Sequence, residues 1–245
     1  MDLFKSLIAP FSVYDSTAIM LFGLGWLMVS LLVDHARPGR ESAHTLMREY
    51  RRNWMRQLVT RPGRILDSAI LATLSQSTSF FASACMIAIG GCFALLGQAD
   101  HLADLAGVIG DGPVPPKLVW EVKIFLVLMV VAYAFLKFVW AVRLFGFCAV
   151  VMASVPEGEP SEEGYRIADR AADLNIYAAR QFNRGLRAVY FALAALFWLI
   201  GPVPMMLATG ATCIMLYRRE FHSDSRATLL GASEPEKPAG QDGQS

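Results

Sequence analysis

The chain has 245 residues, of which 55% are hydrophobic, 11% aromatic and 18% charged, and its 22 basic and 21 acidic residues leave a net charge of +1. A soluble domain carries charge on about a quarter of its residues, and here the apolar excess is gathered into long blocks with no strand or surface-helix period, so a soluble globular enzyme is excluded. Near-neutrality removes any global electrostatic ground for a nucleic-acid partner.

A helix crosses the hydrocarbon core with about 20 apolar residues. Four blocks qualify, which predicts an all-α, polytopic membrane helix bundle of about four transmembrane helices within residues 1–225. The start of the chain, Met1-Asp2-Leu3-Phe4-Lys5, has no basic n-region, and the first block (16–33) ends in Val33-Asp34-His35 without a small-x-small cleavage site, so it reads as retained. The loop 34–67 carries Arg37, Arg40, Arg48, Arg51, Arg52, Arg56, Arg61 and Arg64 against Asp34, Glu41, Glu49 and Asp67, which the positive-inside rule assigns to the cytoplasm. Within it, Leu46, Tyr50, Trp54 and Leu58 recur at i+4, with Arg48, Arg51, Arg52 and Arg56 on the remaining surface. This pattern predicts a helix on the inner leaflet with its arginines on anionic lipid head groups. The competing reading is a cytosolic helix packed on the protein's own loop, or ordinary topogenic charge.

The second block (68–97) opens with the polar string Ser75-Gln76-Ser77-Thr78-Ser79, whose hydroxyls and amide are expected to find partners inside the bundle because lipid offers none. An acidic, proline-rich connector with Asp100, Asp104 and Asp111 suits the opposite side. The third block (118–153) spans about 54 Å as a helix and must tilt or protrude. Glu121 and Lys123 at its outer edge read as snorkelling anchors. Lys137 and Arg143 are expected at the inner head groups, paired with Asp67 at matching depth or, second, with Asp173.

The connector to the fourth block is basic again near its membrane edge, with Arg166, Arg170, Arg180, Arg184 and then Arg187. The fourth block (186–217) is interrupted by Gly201-Pro202-Val203-Pro204. One kinked crossing is expected, since either half alone, roughly 15 residues, is too short to span. The alternative is a re-entrant hairpin turning at Gly201 to Pro204, which would return Arg218 and Arg219 to the cytoplasm. The tail 226–245, rich in Ser, Glu, Pro, Gly and Gln, reads as disordered.

No catalytic signature is present, the four cysteines fall in apolar blocks, and no two histidines share a face at ligand spacing, so neither enzyme activity nor a metal or other cofactor is expected. The residues point to a structural, assembly or regulatory membrane protein. The alternative is a small transporter or channel subunit lined by Gln76, Ser79, Lys137 and Arg143. A bacterial inner membrane is the expected location, and Gly/Ala/Ser surfaces suit a homo-oligomer or a membrane-protein partner.

The stretches Thr78-Ser-Phe-Phe-Ala-Ser83 with Gly90-Gly91, Glu121-Val-Lys123, Tyr133-Ala-Phe-Leu-Lys-Phe-Val-Trp-Ala-Val-Arg143, Phe182-Asn183-Arg-Gly-Leu-Arg-Ala-Val-Tyr-Phe191, Trp198-Leu-Ile-Gly-Pro202 and Arg219-Glu-Phe-His-Ser223 resemble the membrane proteins grouped as domain-of-unknown-function family 599. The resemblance covers residues 12–225 and implies a multi-span protein of about four helices. It implies no activity, so no catalytic residue is carried over; Asn183 joins Asp67, Gln76, Ser79, Glu121, Lys123, Lys137 and Arg143 as a structural or pathway candidate.

Overall fold

The computed structural model describes residues 11–34, 43–101, 104, 116–222 and 228–229, and the regular structure among them is helical. Most of the proline-rich connector and, apart from 228–229, the tail expected to be disordered lie outside the described residues.

Helix α1 (Val13–Asp34) starts at a reciprocal cap, in which Asp15 N–H donates to Ser12 Oγ (3.2 Å) and Ser12 N–H donates to Asp15 Oδ2 (3.1 Å). The arginine-rich stretch forms α2 (Ala43–Gln57), and α3 (Ile65–Gly97) follows. After Pro116, α4 (Lys117–Ala153) has 37 residues, about 55 Å. Its last carbonyls are gathered by the Arg64 guanidinium, which donates to Met152 O (3.4 Å) and Ala153 O (3.3 Å) and, just past the helix, to Val155 O (2.6 Å), a cation at the negative end of the helix dipole. Helix α5 (Glu162–Leu196) is capped by Ser161 Oγ, which accepts from Gly164 N–H (3.1 Å), with Glu162 and Glu163 in the first turn. A 3-10 turn, Phe197–Leu199, leads to α6 (Pro202–Phe221).

Helices α4 and α5 form a central antiparallel pair: Phe138 meets Phe182 (5.7 Å between centroids) and Lys123 lies over Trp198 (5.8 Å). They approach closely because Gly185 has no side chain; a Cβ there would sit 2.8 Å from Phe138 Cε1. Helix α3 also packs on α4, with Phe81 stacked on Phe138 (5.5 Å) and edge-on to Phe182 of α5 (5.7 Å). Helix α1 runs antiparallel to α5, tied at one end by Trp198 Nε1–H to Asp15 (2.8 Å) and at the other by Arg184 to Asp34. We refer to the Asp34 end as the basic end of the bundle.

The helical bundle is as the sequence predicts, but the course of the chain at Gly201 is not. Here α6 folds back along α5, so that Arg219 donates to the Tyr190 hydroxyl (2.8 Å), Leu216 shares a buried cluster with Val33, and a Cβ on Gly25 would lie 3.0 Å from Cys213 Sγ. The single kinked helix is therefore corrected to a hairpin of two separate helices. Hydropathy marks only the apolar part of a helix: α5 begins at its Ser161 cap, far upstream of the apolar block, and α6 alone has 20 residues, about 30 Å. Pro202 and Pro204 end α5 by removing backbone donors, and Pro202 then opens α6, where a missing N–H costs nothing. Among the described residues three helices are long and apolar enough to cross a membrane, α1, α3 and α4; the second half of α5 and α6 run between the same two ends of the bundle.

Candidate functional site

The basic end holds a charge cluster inside the bundle. Asp34, the last residue of α1, accepts from Arg184 Nε (3.0 Å) and Nη2 (2.8 Å) at one oxygen and from Arg187 Nη2 (3.0 Å) at the other. Arg187 is 6% exposed and sits within the apolar part of α5. Glu220 near the end of α6 is within electrostatic range of Arg187, Arg219 and Asp34, while Arg48 of α2 is within range of Arg180 and Asp34. Among the described residues, two carboxylates thus stand with five guanidiniums. Beside them a cavity of about 310 Å³ opens between α1, α4 and α5, lined by Gly23, Trp26, Leu27, Ser30, Asp34, Tyr133, Arg184 and Arg187. Trp26 forms its wall, stacked on Phe191 (5.2 Å) and edge-on to Tyr133 (5.6 Å). Lys137 stands over the Tyr133 ring at 5.1 Å.

Asp67, expected opposite Lys137 or Arg143, is fully buried and accepts instead from Trp54 Nε1 (2.7 Å) and Arg61 Nη1 (3.4 Å), leaving Oδ2 without a partner. The pairing is corrected because α2 folds back over the start of α3 and reaches Asp67 first. Asp173, the second choice, is taken by Arg52 (2.7 Å). Lys137 makes no ion pair among the described residues, and Arg143 is exposed.

The arginines expected on lipid head groups are mostly turned to α5. Arg56 bonds both oxygens of Asp169 (2.7 and 2.9 Å), Arg52 bonds Asp173, and Arg51 donates to the buried Asn175, whose neighbour Cys148 donates to Ala171 O (3.3 Å). Met55 and Leu58 are buried beneath them, so one face of α2 is packed on the protein itself, as in the competing reading, while Tyr50 and half of the Arg52 and Arg56 side chains stay exposed. Acids one turn apart on α5, Asp169 and Asp173, match the spacing of Arg56 and Arg52, a complementarity readable only once α5 is known to extend there. The Arg56 guanidinium holds the Asp169 carboxyl below its ordinary range. Burial lowers Arg51, against weaker opposition from Cys148.

The polar string does not converge on a pathway either. Gln76 and Ser79 are exposed; Ser79 Oγ–H donates to Ser75 O (3.1 Å) and the buried Thr78 Oγ1–H to Leu74 O (2.7 Å), so these two hydroxyls are satisfied by their own helix. At the far end Glu121 faces Lys117 (3.9 Å), but Lys123 is 9% exposed and held between the Trp120 and Trp198 rings instead of snorkelling. Asn183 is half-buried beside Arg184 on α5. The residues missed were Asp34, Arg184 and Arg187, read as markers of membrane edges. Their signal was present: Arg187 falls inside the fourth apolar block, and an ionisable residue there is a site hypothesis in its own right.

Comparison with curated proteins finds no match, and comparison with solved structures finds none. Over residues 17–225, nearly the whole of the helical bundle, the sequence matches the family described as protein of unknown function, DUF599, and the chain with its apolar helices is a membrane protein of that family.

Proposed function

We propose that the protein is a non-enzymatic component of a bacterial inner membrane, of regulatory or assembly type, whose working part is the cavity between α1, α4 and α5, a binding site for an anionic group. The observation that carries this reading is the surplus of positive charge at that cavity. Two guanidiniums share the single carboxylate of Asp34, and Lys137 nearby has no carboxylate to pair with among the described residues. Charges at membrane depth cost a few kcal/mol or more and are kept where they pair or bind. At about 310 Å³ the cavity is at the small end of ligand sites.

In this reading the basic end faces the cytoplasm, because α2, the start of α5 and Arg218 with Arg219 gather there. The second half of α5 and α6 then make a fourth and fifth crossing. The alternative of a transporter lined by Gln76, Ser79, Lys137 and Arg143 has less support, since the first two and Arg143 are exposed and line no cavity with Lys137 within the chain.

The test is reconstitution of the purified protein, with thermal stability measured against inorganic phosphate, sulfate and anionic lipid, and ion flux measured in parallel. Saturable stabilisation by one of these, weakened in Lys137→Met and unaccompanied by flux, is the expected result. A flux that disappears in Lys137→Met would install the transporter reading, and indifference to every anion offered would remove the site.

A further inference from the structure

We infer that the cavity takes a phospholipid with an anionic phosphate head group, entering sideways from the leaflet at the basic end, its phosphate on Arg184 and Arg187 and one acyl chain along α1. The inference rests on the preceding reading that the cavity binds an anion.

The lining is sorted by polarity along α1. Asp34 and Ser30, with Arg184 and Arg187 across from them, form one end; Trp26, Leu27 and Gly23 form the other. From Asp34 to Gly23 is about 16 Å along the helix axis, so the polar part sits at head-group depth and the apolar part points into the hydrocarbon. A small inorganic anion would use only the first part. The mouth lies on the flank of the bundle: Gly23 is exposed and Leu27 is 55% exposed, so what approaches it there is an acyl chain. At Gly23 a Cβ would meet nothing within 4 Å, which leaves the apolar end open, and the wall beside it is a fixed aromatic stack of Trp26 on Phe191. Arg187, at 6% exposure, is held in place by Asp34, and Lys137 adds a cation over the ring of Tyr133, a residue of the lining. The whole set is complementary to a molecule with a negative head and an apolar tail.

The experiment uses the full-length protein in detergent, titrated with phosphatidylglycerol, with phosphatidylcholine of the same chains and, separately, with inorganic phosphate, with bound lipid counted by native mass spectrometry and stability followed by thermal shift. Wild type is expected to retain phosphatidylglycerol in preference to phosphatidylcholine, and phosphate is expected not to displace it. Lys137→Met should weaken retention about fivefold, the factor belonging to one basic residue near an anionic surface. Gly23→Leu, whose Cβ meets nothing within 4 Å and whose side chain extends into the apolar end, should weaken it without lowering the lipid-free stability, so that a folding failure cannot pass for a binding failure. If phosphate alone stabilises the protein and Gly23→Leu changes nothing, the ligand is a soluble anion: the lipid inference is overturned and the anion site stands. If the two lipids are retained alike and phosphate has no effect, both fall.

Discussion

Replacing Asp34 by Asn keeps the shape of the side chain and removes the charge on which Arg184 and Arg187 converge. Three charge-assisted hydrogen bonds of 2.8 to 3.0 Å end on this carboxylate. Removing one partner of a buried ion pair costs about 3–5 kcal/mol, most of it the burden of a charge left without compensation. Arg184 keeps 32% of its side chain exposed and is partly screened, whereas Arg187 keeps 7% and is not, so the expected loss lies near the lower bound, about 3 kcal/mol. The assay is equilibrium unfolding in mixed micelles, with Asp34→Asn, Arg187→Met and the double variant compared. Because Arg187→Met removes the charge that Asp34→Asn strands, the double variant should lose less than the sum of the two by about 1–3 kcal/mol. A loss below about 0.5 kcal/mol in Asp34→Asn, within the range of an ordinary surface substitution, or strict additivity in the cycle, would refute the claim that this carboxylate holds the basic end together.

Gly185→Ala should destabilise by about 1–3 kcal/mol, since its methyl would press into the fully buried Phe138 ring, whereas Gly146→Ala, which meets nothing within 4 Å, should be neutral or better; the same sign for both would count against the α4–α5 packing. The bond from Arg56 depresses the Asp169 carboxyl, so its contribution to the docking of α2 is complete above the ordinary Asp value of about 3.9 and fades as pH falls through the lower folded value. Spin labels at Tyr50 and Tyr177 should therefore report a distance that broadens only on acidification, and Asp169→Asn should broaden it already at neutral pH. Reporter fusions after Phe221 and accessibility of a cysteine at Arg170 should both read cytoplasmic, and a cysteine at Asp104 should be labelled from the other face; a C-terminal reporter on the Asp104 side would contradict the α5–α6 hairpin as a membrane traverse.

What could be read in advance was what depends on runs of residues. The first three apolar blocks appear as α1, α3 and α4 because a continuous apolar stretch has few other ways to satisfy its backbone. What could not be read was where a helix continues after its apolar face ends. Helix α5 is polar in its first half because it is solvated on one side and meets α2 on the other, through Asp169, Asp173 and Asn175. Treating that half as a connector shortened the helix and made Pro202 look like a kink. The same error concealed the site: with the helix starting at Leu186, Arg184 counts as a loop charge and Arg187 as the edge of a span. Pairing was illegible for a simpler reason. Phe81 stacks on Phe138, so Lys137 lies level with the Phe81 turn of α3, while Asp67 sits about 21 Å further along that helix, beside the end of α4; depth counted from the ends of apolar blocks does not give the register of two helices.

Asp34 and a bound anion compete for the same guanidiniums, and this gives the cluster a property that neither stability nor binding alone reveals. At its opposite end α1 is fastened to α5 by Asp15 and Trp198, and at the basic end by Asp34. An anion that draws Arg187 from Asp34 therefore loosens one of two fastenings, and part of its binding energy is spent on that step. By linkage, removing the carboxylate should remove the competition. Asp34→Asn should bind the anionic group about fivefold more tightly, the worth of one released basic residue, while unfolding more easily in the absence of ligand. Opposite signs in the two measurements are the signature of a carboxylate that stands in for the ligand. If stability and affinity fall together, Asp34 serves instead to aim the two guanidiniums, and Arg187→Lys, which keeps the charge but not the fork, should then cost as much binding as Asp34→Asn.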